Sequence, residues 1–553
     1  MFKTHLNTDV NKKRDVLVIP GMIKCGKIVI FYSLRQSTKV KNKPLSLDIT
    51  KTLNIKRDIQ SFIDHYKDKL NELFSERNDE NELLMTRGLP PYILREIMEC
   101  NPLSTFIPED YDGRGAITSE ALSMLEASSY QSLPLSLMMG INGALFLQPL
   151  ANYGSEEAKS TIFKEFLRRK NMGGLMITEP DFGSDALRMQ TGFKYHEDTK
   201  SYEIDGLKHW AGLTGWADYW LITARGYKND EGELGRDIGF FIHDSSNGGI
   251  DVKEYYQNLG LYMLPYGKNK IDIEVPESHR LEPKTTGVTM MLDILHRSRL
   301  QFPGMSTGHL KRMMDEALDH CKTRIVGGMS LFNYDQVKER LAKLQSYFTI
   351  SSAMSYFTST NVPLNQNTSR MDVAANSIKS VVTDYMHEAS QSLLQLVGAK
   401  GYRLDHIAGR AMVDSRPFQI FEGSNDILYQ QISESILKMM RKSKETNLYN
   451  FLSDYSLTEN SAEHFEETLN FDVDFKMAQR KLVQLGRALG RLVSMEMTIK
   501  LGESGFNSDM ISNSLKVVKS EIESLFSTYS FAETPAIIED YDDSSSWLKF
   551  VNQ

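Results

Sequence analysis

Arg416-Pro417-Phe418-Gln419-Ile420-Phe421-Glu422-Gly423-Ser424-Asn425-Asp426-Ile427 sets one carboxylate among apolar neighbours, just ahead of a glycine turn and a helix start. Ser424 or Asn425 serves as N-cap to a run in which Ile427, Leu428, Ile432, Ile436 and Leu437 fall on one helical face. Withdrawn from water, Glu422 would have its pKa raised toward that of a working general base. An arbitrary glutamate in a turn is more often solvated, since glutamate is seldom buried unless paired or functional. The context on either side reverses those odds.

Upstream of this turn the helical period persists back to Pro283. Leu310, Met313, Met314, Ala317, Leu318 and Cys321 share one face, Val337, Leu341, Leu344 and Phe348 another, and Val373, Ala374, Ser377, Ile378, Val381 and Tyr385 a third. With Ile427 to Met440 these make four long amphipathic helices, enough for a bundle. Between about Gly173 and Glu282 short strands take over, at Tyr202–Asp205, Tyr219–Thr223, Ile238–Ile242 and Ile271–Val275, with Gly, Asn and Asp turns between them. From Ile55 to Arg169 the pattern is helical again, with Ile59, Phe62, Ile63, Tyr66, Leu70 and Leu73 at three and four spacing.

The expected class is therefore mainly α with a central β domain. It divides into a basic extension (1–50), a helical domain (51–172), a β domain (173–285), a four-helix bundle (286–441) and a helical C-terminal extension with an acidic linker and tail (442–553). Residues 454–474 hold seven acids and no Lys or Arg, and are expected to be a solvated connector ahead of a helix over 475–501. In that helix Leu482, Leu485, Leu489, Leu492 and Met495 mark one apolar face, while Arg480, Lys481, Arg487, Arg491 and Lys500 are scattered around it. Packing on the bundle or on another subunit is the main expectation for it, with peripheral membrane contact as the alternative.

At 553 residues the chain exceeds a single core. Its formal charge is −8, and because the first 45 residues hold ten Lys or Arg against Asp9 and Asp15, the body is more acidic than the whole. Non-specific nucleic-acid binding by that body is not expected. The basic start reads as a mitochondrial targeting segment, a membrane-surface arm or a disordered terminus. Cys25, Cys100 and Cys321 show neither metal spacing nor a disulfide framework, which suits a reducing compartment, cytoplasm or mitochondrial matrix. No apolar run is expected to reach the roughly 18 to 20 residues of a membrane span.

P-loop, dinucleotide-loop and His/Cys metal motifs are absent from the sequence. Two other strings carry chemistry. Ile177-Thr178-Glu179-Pro180-Asp181-Phe182-Gly183-Ser184-Asp185 offers hydroxyls and glycine-adjacent N–H groups to a polar ring edge or a phosphate, although such loops are often only connections. Gly206-Leu207-Lys208-His209-Trp210 is read as placing an indole on a strand, against a flat cofactor or equally against the core.

These two strings, in this order and followed by QLVGAKGYRLDHIAGRAMVDSRPFQIFEGSNDI over 395–427, resemble the acyl-CoA dehydrogenase family across most of residues 55–440. Arg299, nine residues before Gly308, and Arg324, before Gly327-Gly328 and Gln336, extend the match. The resemblance implies a helical N-terminal domain, a β-barrel-like middle domain and a C-terminal four-helix bundle, here with an extra helical tail. It implies FAD as cofactor, with Thr178 and Trp210 at the isoalloxazine and Ser184 in the loop lining flavin and thioester. Arg324, Gln395 and Gly398 would bind the FAD of a neighbouring subunit, Ser424 would also meet FAD, and Arg299, opening the first bundle helix, would help position CoA. Glu422 takes the position of the base.

The implied activity is α,β-dehydrogenation of an acyl-CoA to the trans-2-enoyl-CoA, a step of fatty-acid β-oxidation, with electrons passed to an electron-transfer flavoprotein by a homodimer or homotetramer. Longer members resemble this layout and tend to take long chains. An acyl-CoA oxidase of the same fold is the alternative, and a non-catalytic, nucleic-acid-associated member is a second. The chain departs from the family pattern in four places. Trp210-Ala211-Gly212 lacks the hydroxyl that usually follows the indole, a loss that Thr214 is a candidate to make good. Ala399 and Phe421 replace Gly and Tyr, and His296 stands near the expected acyl cleft, most simply as a core or surface residue.

Overall fold

Aspartate, serine and threonine side chains set the starts of several helices. In the computed structural model, which describes residues 58–553 apart from 230–231, 532, 534, 540, 542–544 and 552–553, Asp58 accepts the Ser61 N–H at 3.0 Å and opens α1 (Ile59–Asn71). The basic extension, Cys25 and part of the acidic tail thus lie outside the described residues. Helices α2 (Pro91–Glu99), α3 (Thr118–Gln131), α4 (Leu133–Asn142) and α5 (Glu156–Arg169) complete the first helical layer. Helix α5 has Ser155 as a side-chain cap, Glu156 and Glu157 in its first turn and Arg168 and Arg169 in its last, the arrangement a helix dipole favours.

By length and composition Leu133–Tyr153 is apolar enough to cross a bilayer, against the sequence expectation. Every residue of its most apolar window is buried in protein, so within this fold it is a core helix.

Seven strands form one sheet: β1 (Gly173–Met176), β2 (Gly192–His196), β3 (Ser201–His209), β4 (Tyr219–Tyr227), β5 (Leu234–Asp244), β6 (Ile250–Tyr255) and β7 (Gly267–Pro276). The spatial order is β1-β4-β2-β3-β7-β6, with β5 antiparallel to β4. The four expected strands all lie within observed ones, whereas β1, β2 and β6 escaped the sequence reading. Strand β1 is only Gly173-Gly174-Leu175-Met176, buried throughout; a Cβ on Gly174 would sit 2.5 Å from the Trp220 ring, so close packing removed the side chains that signal a strand.

The bundle comprises α6 (Gly287–Thr323), α7 (Asp335–Asn361), α8 (Asp372–Val397) and, after the short α9 (Ile407–Ser415), α10 (Asn425–Ser443). Arg299 lies well inside α6 and does not open it. Helix α6 meets α3 nearly backbone to backbone, since a Cβ on Gly308 would be 2.1 Å from the Glu126 carbonyl. Beyond α10, residues 454–474 are no solvated connector: short helices Glu459–Glu463 and Glu466–Leu469 bury Ala462, Phe465, Leu469 and Val473. Helix α11 (Gln479–Glu503) packs on α7, α8 and α10, and α12 (Ser508–Ser530) on α7 and α11. The extension's apolar face is thus used internally.

One buried histidine makes this core acid-sensitive. His309, on α6, meets the Ser390 hydroxyl at 3.0 Å, and burial draws its pKa from 6.5 down to about 4. A depressed imidazole pKa means the unfolded chain binds the extra proton first, so this contribution is present above pH 6.5 and is lost as pH falls toward 4. At 1.36 kcal/mol per pKa unit it amounts to roughly 3 kcal/mol. His309→Gln is expected to flatten the pH dependence of urea unfolding between pH 6.5 and 4 relative to wild type; parallel curves would refute the assignment.

Candidate active site

The turn before α10 holds Glu422 at φ 54° and Gly423 at φ 92°. Glycine adopts such a backbone freely and glutamate does not, so Glu422 keeps it only where surrounding contacts over-determine it. Three do. Arg299 Nε donates to the Glu422 carbonyl at 2.9 Å, Lys379 Nζ donates to the Gly423 carbonyl at 2.8 Å, and Ser298 Oγ donates to Glu422 Oε1 at 2.9 Å. Arg299 Nη1 is itself fixed by Asn376 Oδ1 at 2.8 Å. Ser424 occupies the N-cap position without a side-chain capping bond. The Asn425 amide instead donates to Asp384 Oδ1 at 2.7 Å and to Thr383 Oγ1 at 3.0 Å.

The second carboxylate oxygen, Glu422 Oε2, is out of solvent and has no hydrogen-bond partner among the described residues. A buried acceptor in that state costs about 1–3 kcal/mol and is the atom from which to look for a reacting group. Burial pushes the Glu422 carboxyl above its usual range, opposed by the Ser298 hydroxyl and the Arg299 and Lys379 charges. Burial also draws Lys379 down to about 7 and Arg299 to about 10. The arrangement is a carboxyl raised by burial, with Arg299 and Lys379 opposing the shift and one oxygen that accepts from none of the described residues.

Toward the sheet, the Tyr266 phenol is pushed up by burial, and the Glu422 charge adds to the shift. Its ring centroid is 6.0 Å from that of Trp210, and Tyr256 is 4.5 Å from Trp210 on another side. Trp210 is not on a strand: it follows the last residue of β3 at φ 54°, and this left-handed step leaves the indole half exposed. Thr178 is its neighbour, since the His209 N–H donates to the Thr178 carbonyl at 3.0 Å.

The loop bearing Thr178 and Ser184 is stapled by a buried ion pair. Glu179 accepts from Lys208 Nζ at 2.9 Å, Thr191 N at 2.9 Å and Thr191 Oγ1 at 2.6 Å. Burial opposes its charge, but Lys208 and these donors hold Glu179 below the usual carboxylate range. Ser184 is exposed, and nothing lies within 4 Å of a Cβ on Gly183, so the loop tip is open.

Thr214 does not supply the hydroxyl missing at position 212. It is buried, donates to the Ala211 carbonyl at 2.7 Å and accepts from Asn269 Nδ2 at 3.2 Å. A Cβ on Gly212 would lie 2.7 Å from Ile141 Cδ1 and 3.4 Å from the Tyr266 ring. Gly212→Ser is expected to cost about 1 kcal/mol through overpacking, and Ile141→Val, which shortens the opposing side chain, should relieve it. Equal melting temperatures for wild type, single and double variants would contradict this. His296 is a satisfied core residue, its Nδ1 3.0 Å from the Thr368 carbonyl.

The remaining expected residues lie elsewhere. Arg324, Gln395 and Gly398 are all exposed, at the C-terminal ends of α6 and α8. From Lys379 to Gln395, α8 rises by about 24 Å at 1.5 Å per residue. The structure therefore gathers Glu422, Arg299 and Ser424 at one place, sets Trp210 just past the end of β3 and Thr178 and Ser184 in the loop after β1, and leaves Arg324, Gln395 and Gly398 as a separate exposed set. Sequence reading missed Ser298, Lys379 and Tyr266. Lys379 did leave a signal, being the one cation within a helix stretch, Val373–Val382, that is buried on every side.

Helices, a curled sheet and a helical bundle, with an enclosed carboxyl where bundle and sheet meet, define an acyl-CoA dehydrogenase-type fold. The chain belongs to the acyl-CoA dehydrogenase family, whose models match the N-terminal domain over residues 60–170, the middle domain over 174–272 and the C-terminal domain over 285–437. The family is one of FAD-dependent oxidoreductases. Among its relatives, a very long-chain specific acyl-CoA dehydrogenase of Bos taurus mitochondria is 22% identical over 394 residues, covering 71% of this chain and 60% of the relative. An acyl-CoA dehydrogenase of Bacillus subtilis is 25% identical over 64% of this chain and 91% of its own length. The structure of an acyl-CoA dehydrogenase complexed with FAD from Bacillus anthracis superposes with a TM-score of 0.69 at 17% identity, over 86% of this chain and 90% of that one. The chain thus spans only about three-fifths of the bovine relative's length.

Proposed function

We propose that the protein dehydrogenates an acyl-CoA thioester to the trans-2-enoyl-CoA, with Glu422 as the base that removes the α-proton. The supporting observation is Glu422 Oε2, a buried carboxylate oxygen with no hydrogen-bond partner among the described residues. A thioester α-proton is only weakly acidic, so its base has to be held close and shielded from water. Ser298 fixes Oε1 and leaves Oε2 to take the proton. The Arg299 and Lys379 charges keep the ionised form accessible against the cost of burial.

The residues present fit FAD: a half-exposed indole just past the end of β3, an open loop tip at Gly183 and an enclosed carboxylate. Bound there, FAD supplies the acceptor for the β-hydride. Thr178, Trp210 and Ser424 would hold its ring and Ser184 would line it. The exposed set of Arg324, Gln395 and Gly398 would serve the FAD of a second copy, which makes the working unit at least a dimer. Arg299 would help position CoA. Electron-transfer flavoprotein is the proposed acceptor, in the mitochondrial matrix or the cytoplasm. Oxygen is the alternative acceptor, left open by Gly212, which offers the flavin no hydroxyl.

The test is anaerobic addition of short, medium and long acyl-CoAs to the FAD-loaded protein. Bleaching of the visible flavin band supports the reading and ranks chain length, and admitting air or electron-transfer flavoprotein then separates the two acceptors. Flavin that no acyl-CoA bleaches would overturn the substrate assignment.

A further inference from the structure

The C-terminal extension is wired to the turn that carries Glu422. Arg491, on α11, is buried, and its guanidinium donates to Tyr429 OH at 3.1 Å, to Glu521 Oε2 of α12 at 2.9 Å and to Asp384 Oδ2 of α8 at 3.5 Å. Asp384 collects three further donors: Tyr429 OH at 2.6 Å, Asn425 Nδ2 at 2.7 Å and Gln419 Nε2 at 2.8 Å. Gln419 and Asn425 lie on either side of Glu422 in sequence, so Asp384 grips both arms of the turn. Asn425 Oδ1 in turn accepts from Lys379 Nζ at 2.9 Å, and the same ammonium holds the Gly423 carbonyl.

The outer end of this chain of contacts cannot slide. A Cβ on Gly486 would be 1.8 Å from the Tyr429 carbonyl, so α11 lies directly on the α10 backbone little more than one turn before Arg491. Without that guanidinium, Asp384, a partly enclosed carboxylate with its side chain 19% exposed, would keep only the neutral donors Tyr429, Asn425 and Gln419, and its hold on Gln419 and Asn425 would weaken.

We propose that Arg491 is a positioning residue for Glu422: through Asp384, Asn425 and Lys379, the C-terminal extension holds the base-bearing turn in its left-handed conformation. The role of Glu422 as base is the reading given above, and the proposal rests on it. A glutamate at φ 54° needs contacts on all sides. Arg299 and Ser298 supply them from α6, and this network supplies them from α8 and the extension. The charged and titratable groups that interact electrostatically with Glu422 are Arg299, Lys379 and Tyr266; those that do so with Asp384 are Arg491, Arg487, Lys379, His387, Glu388 and Tyr429.

The experiment compares wild type, Arg491→Met and Arg491→Lys as full-length FAD-loaded protein. The first readout needs no substrate: the carboxyl band present in wild type and absent in Glu422→Gln is titrated by infrared difference spectroscopy. In Arg491→Met its midpoint is expected to fall toward the ordinary carboxylate range as the loosened turn admits water. With an acyl-CoA, kcat should fall tenfold or more at unchanged flavin content. Arg491→Lys keeps the charge without the three-way fork; it should show a smaller shift in the same direction, and it serves as the test variant should Arg491→Met fail to fold. A folded variant with a lower melting temperature but a wild-type midpoint would overturn the proposal, leaving Arg491 as a structural residue only. If wild type bleaches with no acyl-CoA while the midpoint still moves, the substrate reading fails and the positioning role stands.

Discussion

Glu422→Gln is expected to lower turnover roughly 10²- to 10⁴-fold while FAD remains bound. Glutamine matches glutamate in shape and keeps an oxygen for the Ser298 hydroxyl, so the turn, with its carbonyl ties to Arg299 and Lys379, stays in place. What it lacks is a site that accepts a proton. The pH profile gives a second signature. Burial raises the Glu422 carboxyl above its ordinary range, so wild-type turnover should fall as pH drops through that raised value, because only the ionised form is a base. In the variant this limb should vanish. Stopped-flow measurement of flavin reduction against pH tests both; reduction at the wild-type rate would end the assignment of Glu422 as base.

The second large effect concerns stability. Glu179→Ala leaves the Lys208 ammonium with no counter-charge in a site where the two side chains are 0% and 4% exposed. It also strips the acceptor from the Thr191 N–H and hydroxyl and from the Gln190 N–H. Breaking a buried pair from one side costs about 3–5 kcal/mol, whereas replacing both partners with apolar groups is often close to neutral. Urea unfolding should therefore show a deep loss for Glu179→Ala and a much shallower one for Glu179→Met combined with Lys208→Met. Because Glu179 ties both ends of the loop bearing Thr178 and Ser184, the single variant should also bind FAD more weakly. A single variant as stable as the double would mean that the pair contributes little.

How far the sequence reached depended on whether a feature was local. Helices α6, α7, α8 and α10 were legible because each repeats apolar residues at helical spacing over several turns, and β3, β4, β5 and β7 because they alternate or run apolar between turn residues. Strand β1 was not, because two of its four positions are glycines that let Trp220 and Phe146 approach. The segment over 454–474 misled because its acids all count toward charge, while the few side chains it buries are spaced irregularly along short helices.

The same division runs through the site. Sequence by itself determined the order of helical, sheet and bundle segments, the family, and Glu422 as the carboxylate to watch, since a motif is contiguous and a helix start is a local event. Tertiary structure alone decided what Glu422 meets. Ser298 is 124 residues away from it in the chain, and Lys379, on a different helix, holds the carbonyl of the next residue, Gly423. It decided as well that Trp210 turns off the end of β3 and stands half exposed, and that Arg491 of the extension reaches Asp384. Contacts of that kind depend on how helices and sheet pack, and packing joins positions whose separation along the chain leaves no periodic trace.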